Sequence, residues 1–342
     1  MKKKFADLLL LLGFGTVVYL VIIFLGFIGV IDEFYLHLLS IAGIYIIVAL
    51  SLNLITGFTG QLALGHAGFM SIGAYSAAIL VMRASLPLLP SVLLGGVVAA
   101  LFGFLVGFPT LRLRGDYLAI TTLGFGEIIR VVLNNLEGLT GGSAGLKGIP
   151  SFSDTGNYVL DAIIKFSWIF IFFVATVVVI SNLVRSSPGR VIISVREDEI
   201  ASTSMGNDVA RYKMIAFIVS AFFAGIGGGL FAALIRYLNP SDFNFLYSVN
   251  FVVIAVLGGL GSITGTVLGG LTFTFTQEWL RVLGDFRMVV FGLMLILLML
   301  FWQKGIMGNK ELSITGMVRA MPAFFRGLPA RIRKLLRKGG DA

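Results

Sequence analysis

Apolar residues fall in long blocks along this chain, and polar residues are confined to the gaps between them. Residues 34–82 contain no Asp, Glu, Lys or Arg. That length accommodates two membrane crossings of about 20 residues joined by a tight element. The joint falls at GFTGQLALGHAG (57–68), whose glycines oppose a continuous helix because each interior Gly costs about 1 kcal/mol relative to Ala. A broken or re-entrant segment is predicted there. A turn at 86–90 leads to a span at 91–108, which Pro109 ends. Another span runs from about 117 to 132, after Arg112 and Arg114. Nineteen uncharged residues at 166–184 and twenty-two at 214–235 flank the most polar internal stretch, and an uncharged run of thirty-five residues at 243–277 is interrupted by GGLGSITG (258–265). The span at 288–303 is the last.

With a retained first helix at 8–31, the pattern predicts an all-α polytopic membrane protein of about ten transmembrane helices with glycine-rich broken segments. Two apolar arms around a glycine-rich joint occur in each half, the arrangement of a distant internal repeat and of a transport pathway. Residues 1–303 form the transmembrane domain, and 304–342 form a basic amphipathic tail.

Composition agrees with this reading. Hydrophobic residues make up 57% of 342 and charged residues 13%, against about 25% charged in soluble domains. The net charge of +9 sits at segment ends and in the tail, so it fixes orientation rather than binding nucleic acid. Nineteen Lys and Arg fall inside and seven outside if both termini are cytoplasmic. The tail carries seven basic and no acidic residues at 319–338 and is expected on the anionic inner leaflet. The chain has no cysteine, which excludes disulfides, thiolate metal sites and a cysteine nucleophile. His66 has no carboxylate or Cys near it in sequence, so no metal site is expected.

The polar stretch at 185–213 reads RSSPGRVIISVREDEIASTSMGNDVARYK. Pro188-Gly189 breaks the preceding helix, an acidic helix-prone cluster follows, and Gly206 is placed to end it. A short helix along the membrane surface is expected to present Arg196, Glu197, Asp198 and Glu199 to a soluble partner. A solvated loop that merely sets topology is the alternative.

GQLALGHAGFMSIGAY, RLRGDYLAITTLGFGEIIR, TGGSAGLKGIP, the stretch GRVIISVREDEIASTSMGNDVARYKMIAFIVSAFFAGIGGGLFA and VLGGLGSITGTVLGG together resemble the M-type permease subunit of bacterial branched-chain amino-acid ABC importers. The resemblance spans about residues 51–270. It implies an inner-membrane importer for leucine, isoleucine or valine, and close relatives carry urea or short amides. The implied partners are an H-type permease, two ABC ATPase subunits and a periplasmic substrate-binding protein. It also implies that 185–213 holds an ATPase-coupling helix, the carry-over covering Glu197, Asp198, Glu199, Ala201 and Gly206. Glu199 and Gly206 are seven apart rather than the six of the general permease pattern.

The chain has no phosphate-binding loop of its own. GGSAGLKG (141–148) lacks the Gly-Lys-Ser/Thr ending, so ATP and Mg belong to partner subunits and this subunit is expected to be catalytically silent. Pathway candidates are Gly57, Gly60, Gln61, Gly65, His66, Gly68, Gly258, Gly259, Gly261 and Gly265, whose half-helix ends offer N–H and C=O groups to a zwitterion. The same glycines also suit close helix packing. His66 either relays a proton or hydrogen-bonds backbone exposed by the break. Glu127 and Arg130 stand three apart on one helix face and either pair or meet a zwitterion. A gradient-driven secondary transporter, which would need carboxylates at mid-membrane depth, a passive channel, and a structural membrane scaffold, which leaves the paired glycine-rich breaks unexplained, are the other function classes.

Overall fold

A computed structural model describes residues 2–29, 31–111, 113, 115–301 and 305–308. Arg112, Arg114 and nearly all of the basic tail lie outside the described residues, so the expectations for them do too. The chain divides into two units. The first contributes, among the described residues, 2–24, most of helix α1 (Lys2–Phe27); the second is Leu25–Lys310.

In the second unit the helices run in order α2 (Glu33–Asn53), α3 (His66–Ala84), α4 (Leu88–Thr110), α5 (Asp116–Asn135) and α6 (Glu137–Thr140), followed by α7 (Tyr158–Arg185). After these come α8 (Ser187–Glu197), α9 (Glu199–Ser204), α10 (Val209–Ile235), α11 (Phe245–Gly258), α12 (Ile263–Trp279) and α13 (Arg287–Phe301). In an apolar solvent every backbone polar group must be satisfied within the chain, which leaves helix as the economical choice. Among the described residues, five helical stretches are long and apolar enough to cross a bilayer: Glu33–Phe58, His66–Ala84, Leu88–Thr110, Tyr158–Arg185 and Val209–Ile235. The protein is thus a helical, multi-pass membrane protein. Helices α1, α5, α11, α12 and α13 lie in the other stretches where the apolar pattern places crossings, without the length and apolarity of those five among the described residues.

Small residues set the core. At the α3–α10 crossing Gly73 lies on the backbone of Gly225, and Gly228 lies on the carbonyl of Met70 so closely that a Cβ at either position would collide with main chain. Gly95 of α4 joins the same contact, where a Cβ would stand 2.7 Å from the Gly73 oxygen. Without a hydrophobic drive between helices in lipid, such close backbone approach is what holds them together. A second cluster is aromatic: Tyr247 meets Phe251 edge-on at 5.2 Å and Phe243 at 5.9 Å, and Tyr45 meets Phe251 at 5.8 Å. Edge-to-face pairs of this kind are favoured by the ring quadrupole.

The stretch 136–157 is folded. Strand β1 (Leu146–Lys147) pairs antiparallel with β2 (Tyr237–Leu238), Leu146 opposite Leu238, just beyond the end of α10. Arg236, at φ +62°, ends α10 and donates from Nε to the Ile149 carbonyl at 3.2 Å.

The polar stretch at 185–213 forms two short helices where one was expected. Ser186 caps α8 by accepting from the Gly189 N–H at 3.2 Å. Asp198 interrupts the helix and caps α9, accepting from Ile200 and Ala201 N–H groups at 2.8 and 2.9 Å. A carboxylate that can bond the next turn's N–H groups competes with continued helix, which accounts for the division. Gly206, at φ +83°, follows the end of α9 and donates to the Thr203 carbonyl, while Asn207 donates to that of Ser202. That bond pair is the Schellman arrangement, so Gly206 ends the helix as expected.

Candidate functional site

Both glycine-rich joints are breaks between helices. Helix α2 continues into a π-helical turn, Leu54–Phe58, after which the chain runs without helix to α3. The widened turn sends the Gln61 N–H back to the Ile55 carbonyl at 3.1 Å, so the Gly57 carbonyl, which a continuing α-helix would have given to Gln61, is released. Gly60 turns the chain at φ +75°. At the second break α11 ends at Gly258, Gly259 and Gly261 take φ +113° and +83°, and Ser262 caps α12 by accepting from the Gly265 N–H at 3.0 Å. Gly258 and Gly265 lie backbone to backbone across this turn, with no room for a side chain on either.

Asn53 joins the two breaks. Its Nδ2 donates to the Ser262 carbonyl at 3.0 Å and to Thr266 Oγ1 at 2.7 Å, and its Oδ1 accepts from the Gly261 N–H at 2.9 Å. The side chain is fully buried, so all its polar atoms find protein partners, as buried carboxamides require. Asn53 escaped sequence reasoning. The available signal was a single carboxamide at the end of an otherwise apolar arm.

Arg196 reaches this joint from α8. Its Nη1 donates to the released Gly57 carbonyl at 2.7 Å, and its stem lies against Gly60 and its guanidinium against Gly261. Of the four charged residues expected to face a partner, Arg196 therefore turns back to the membrane body. Asp198 is occupied as a cap, and Glu199 pairs with Lys213 of α10 at 2.8 Å. Glu197 is exposed, as are Ala201 and Gly206. A cleft of about 230 Å³ opens beside Arg196, lined also by Gly60, Gln61, Asp116, Glu199 and Lys213.

The remaining candidates stand apart from that cluster. Gly65 lies on the Thr122 carbonyl and Gly68 on Gly126, where a Cβ would come within 2.9 Å of its Cα, so both seat α5 against the start of α3. Leu64 N–H adds a bond to Thr122 Oγ1 at 3.0 Å. His66 is buried, with Nε2 at 2.8 Å from Ser220 Oγ of α10. Ser220 donates to the Ser51 carbonyl at 2.5 Å, so its oxygen accepts from His66 and the ring proton sits on Nε2. His66 thus contacts the α2 backbone through a serine rather than directly.

Glu127 and Arg130 pair at 2.7 Å, and the second carboxylate oxygen of Glu127 accepts from the Phe245 N–H at 3.1 Å. A carboxylate at the first turn of α11 meets the free N–H groups and positive dipole end of that helix. Among the described residues no three His, Cys, Asp or Glu stand together as metal ligands.

The family model described as the branched-chain amino acid transport system permease component matches residues 34–299. The chain is 38% identical over 287 residues to the high-affinity branched-chain amino acid transport system permease protein LivM of Salmonella typhimurium, covering 77% of this chain and 68% of that one. The Escherichia coli LivM matches to the same extent. The corresponding permease protein LivH of Salmonella typhimurium is 24% identical over 296 residues, 80% of this chain and 94% of LivH. No solved structure matches. From the extent of these matches, the chain belongs to the permease-component family of branched-chain amino acid transport systems.

Proposed function

We propose that this chain is a permease subunit of an ATP-driven ABC importer that carries leucine, isoleucine and valine across the bacterial inner membrane. The observation that carries the reading is the match along residues 34–299 to permease components of that system. In this reading the chain crosses the membrane about ten times with both termini cytoplasmic. Residues 1–303 form the membrane domain, and the basic tail at 304–342 rests on anionic lipid. An H-type sister permease completes the pathway, a periplasmic binding protein delivers substrate, and two ATPase subunits bind and hydrolyse ATP with Mg. The similarity to both LivM and LivH proteins supports a pair of related permeases.

The α8–α9 pair is the coupling element. Its outward face combines Glu197 with Ile200 and Met205, which are 71% and 83% exposed. Large apolar side chains this exposed on a membrane protein's polar loop suit a cleft in a soluble partner. ATP-driven closure of the partners moves α8 and α9, and the breaks joined by Asn53 alter which side the pathway opens to. Backbone groups of Gly57, Gly60, Gly258, Gly259, Gly261 and Gly265 border that pathway.

The test is reconstitution of the chain, with the proteins that co-purify with it, into vesicles containing ATP. Uptake of labelled leucine, competed by isoleucine and valine but not by urea, is the expected result. Uptake that continues without ATP and collapses with the ion gradients would overturn it in favour of a secondary carrier.

A further inference from the structure

We infer that Arg196 is a positioning residue that latches α8 to both glycine breaks at once, with the Gln61 carboxamide as its second seat. The inference rests on the reading of α8–α9 as the coupling element, but its geometry does not depend on the substrate.

The first observation is where the guanidinium lies. The Gly57 carbonyl is released from helical bonding because the Gln61 N–H bonds Ile55 instead, and Arg196 Nη1 takes it up at 2.7 Å. A charge-assisted bond to a carbonyl at a helix break is stronger than a neutral one. On the other side the same nitrogen packs on Gly261, where a Cβ would stand 2.6 Å away, and the Arg196 stem lies 3.1–3.4 Å from where a Gly60 Cβ would be. Gly261 in turn is held by Asn53, which also holds Ser262 and Thr266. One side chain of α8 therefore touches the first break through a hydrogen bond and the second through packing. A shift of α8 of an ångström or two alters both contacts together.

The second observation is an acceptor waiting nearby. Gln61 Oε1 is buried with no hydrogen-bond partner among the described residues, and Gln61 and Arg196 line the same cleft of about 230 Å³. An unpaired buried acceptor is costly, and Arg196 has further N–H groups to offer. The cleft gives the guanidinium room to leave Gly57. Two seats for one cation across a glycine-lined joint make a bistable element, which is what a small input needs in order to switch a packed structure.

The test uses the whole transport system, co-expressed and purified, carrying Arg196→Ala, Arg196→Lys or Gln61→Leu in this chain. Leucine uptake per ATP hydrolysed is measured in vesicles, retention of the ATPase chains by gel, and amide hydrogen exchange at 57–61 and 258–262 by mass spectrometry. For Arg196→Ala the expected outcome is retained ATPase chains, at least tenfold less uptake per ATP and faster exchange at both breaks. Arg196→Lys, which still bonds Gly57 but cannot pack flat on Gly261, should fall between. Gln61→Leu should lower uptake per ATP while leaving exchange slow, because it removes only the second seat. Unchanged uptake per ATP in Arg196→Ala overturns the latch, and so does loss of the ATPase chains with unchanged exchange, which would make Arg196 a docking contact. If the unaltered system carries no leucine while the exchange pattern follows expectation, the substrate reading fails and the latch stands.

Discussion

Glu199 at the start of α9 and Lys213 in α10 form an ion pair of 2.8 Å in which the lysine side chain is 5% exposed and the glutamate 36%. The pair fastens α9 to α10, a helix buried over most of its length. Taking one partner from a buried pair strands the other charge, and here solvent at the glutamate softens the cost.

Glu199→Gln should therefore cost about 1–3 kcal/mol of stability, read as a lowered unfolding midpoint in detergent. Glu197→Lys, at an exposed site, should shift stability by no more than about 0.5 kcal/mol yet reduce uptake. A Glu197→Lys variant that transports normally would remove Glu197 from the docking face.

Asn53→Leu removes three hydrogen bonds and leaves the half-buried Gly261 N–H without its partner. About 2–4 kcal/mol of destabilisation is expected from the lost bonds and the stranded donor. Thermal unfolding in detergent measures it, and uptake should be lost even in the fraction that remains folded.

Gly228→Ala should abolish the folded form, because the added methyl meets the Met70 carbonyl and neither helix backbone can retreat without breaking the core. Gly124→Ala is the control. Among the described residues nothing lies within 4 Å of a Cβ there, and the substitution should leave the yield of monodisperse protein on size-exclusion chromatography unchanged or higher.

Glu127→Gln keeps an oxygen for the Phe245 N–H while losing the ion pair with Arg130. Both side chains are 32% exposed, so the loss should be about 1 kcal/mol or less, and uptake should stay within about twofold of the unaltered chain. A carrier that used this carboxylate for protons would instead lose gradient-driven transport in a counterflow assay.

The apolar pattern located the helices because bilayer-spanning segments have one strong constraint, the exclusion of charge. It also located both breaks, since glycine is the residue that a sharp reversal needs. It did not reveal Arg196 turning inward, because a loop arginine reads the same whether it faces a partner or a released carbonyl 139 positions away in sequence. Nor did it reveal Asn53 or Ser220, whose partners come from distant helices. Glu127 illustrates the opposite case: the spacing to Arg130 was visible, while the bond to Phe245, from α11, was not.

Helix α10 holds the Glu199 partner Lys213 near one end, and at the other it leads through Arg236 into the strand pair Tyr237–Leu238 with Leu146–Lys147. At about 1.5 Å per residue its 27 residues reach roughly 40 Å. One continuous helix thus joins the two ends, and any coupling between them is reciprocal. A protein that bound at the strand end and weakened the attachment at Lys213 by some factor would itself bind more tightly by that same factor once the attachment had opened. Grip at one end and release at the other are then two readings of a single coupling constant.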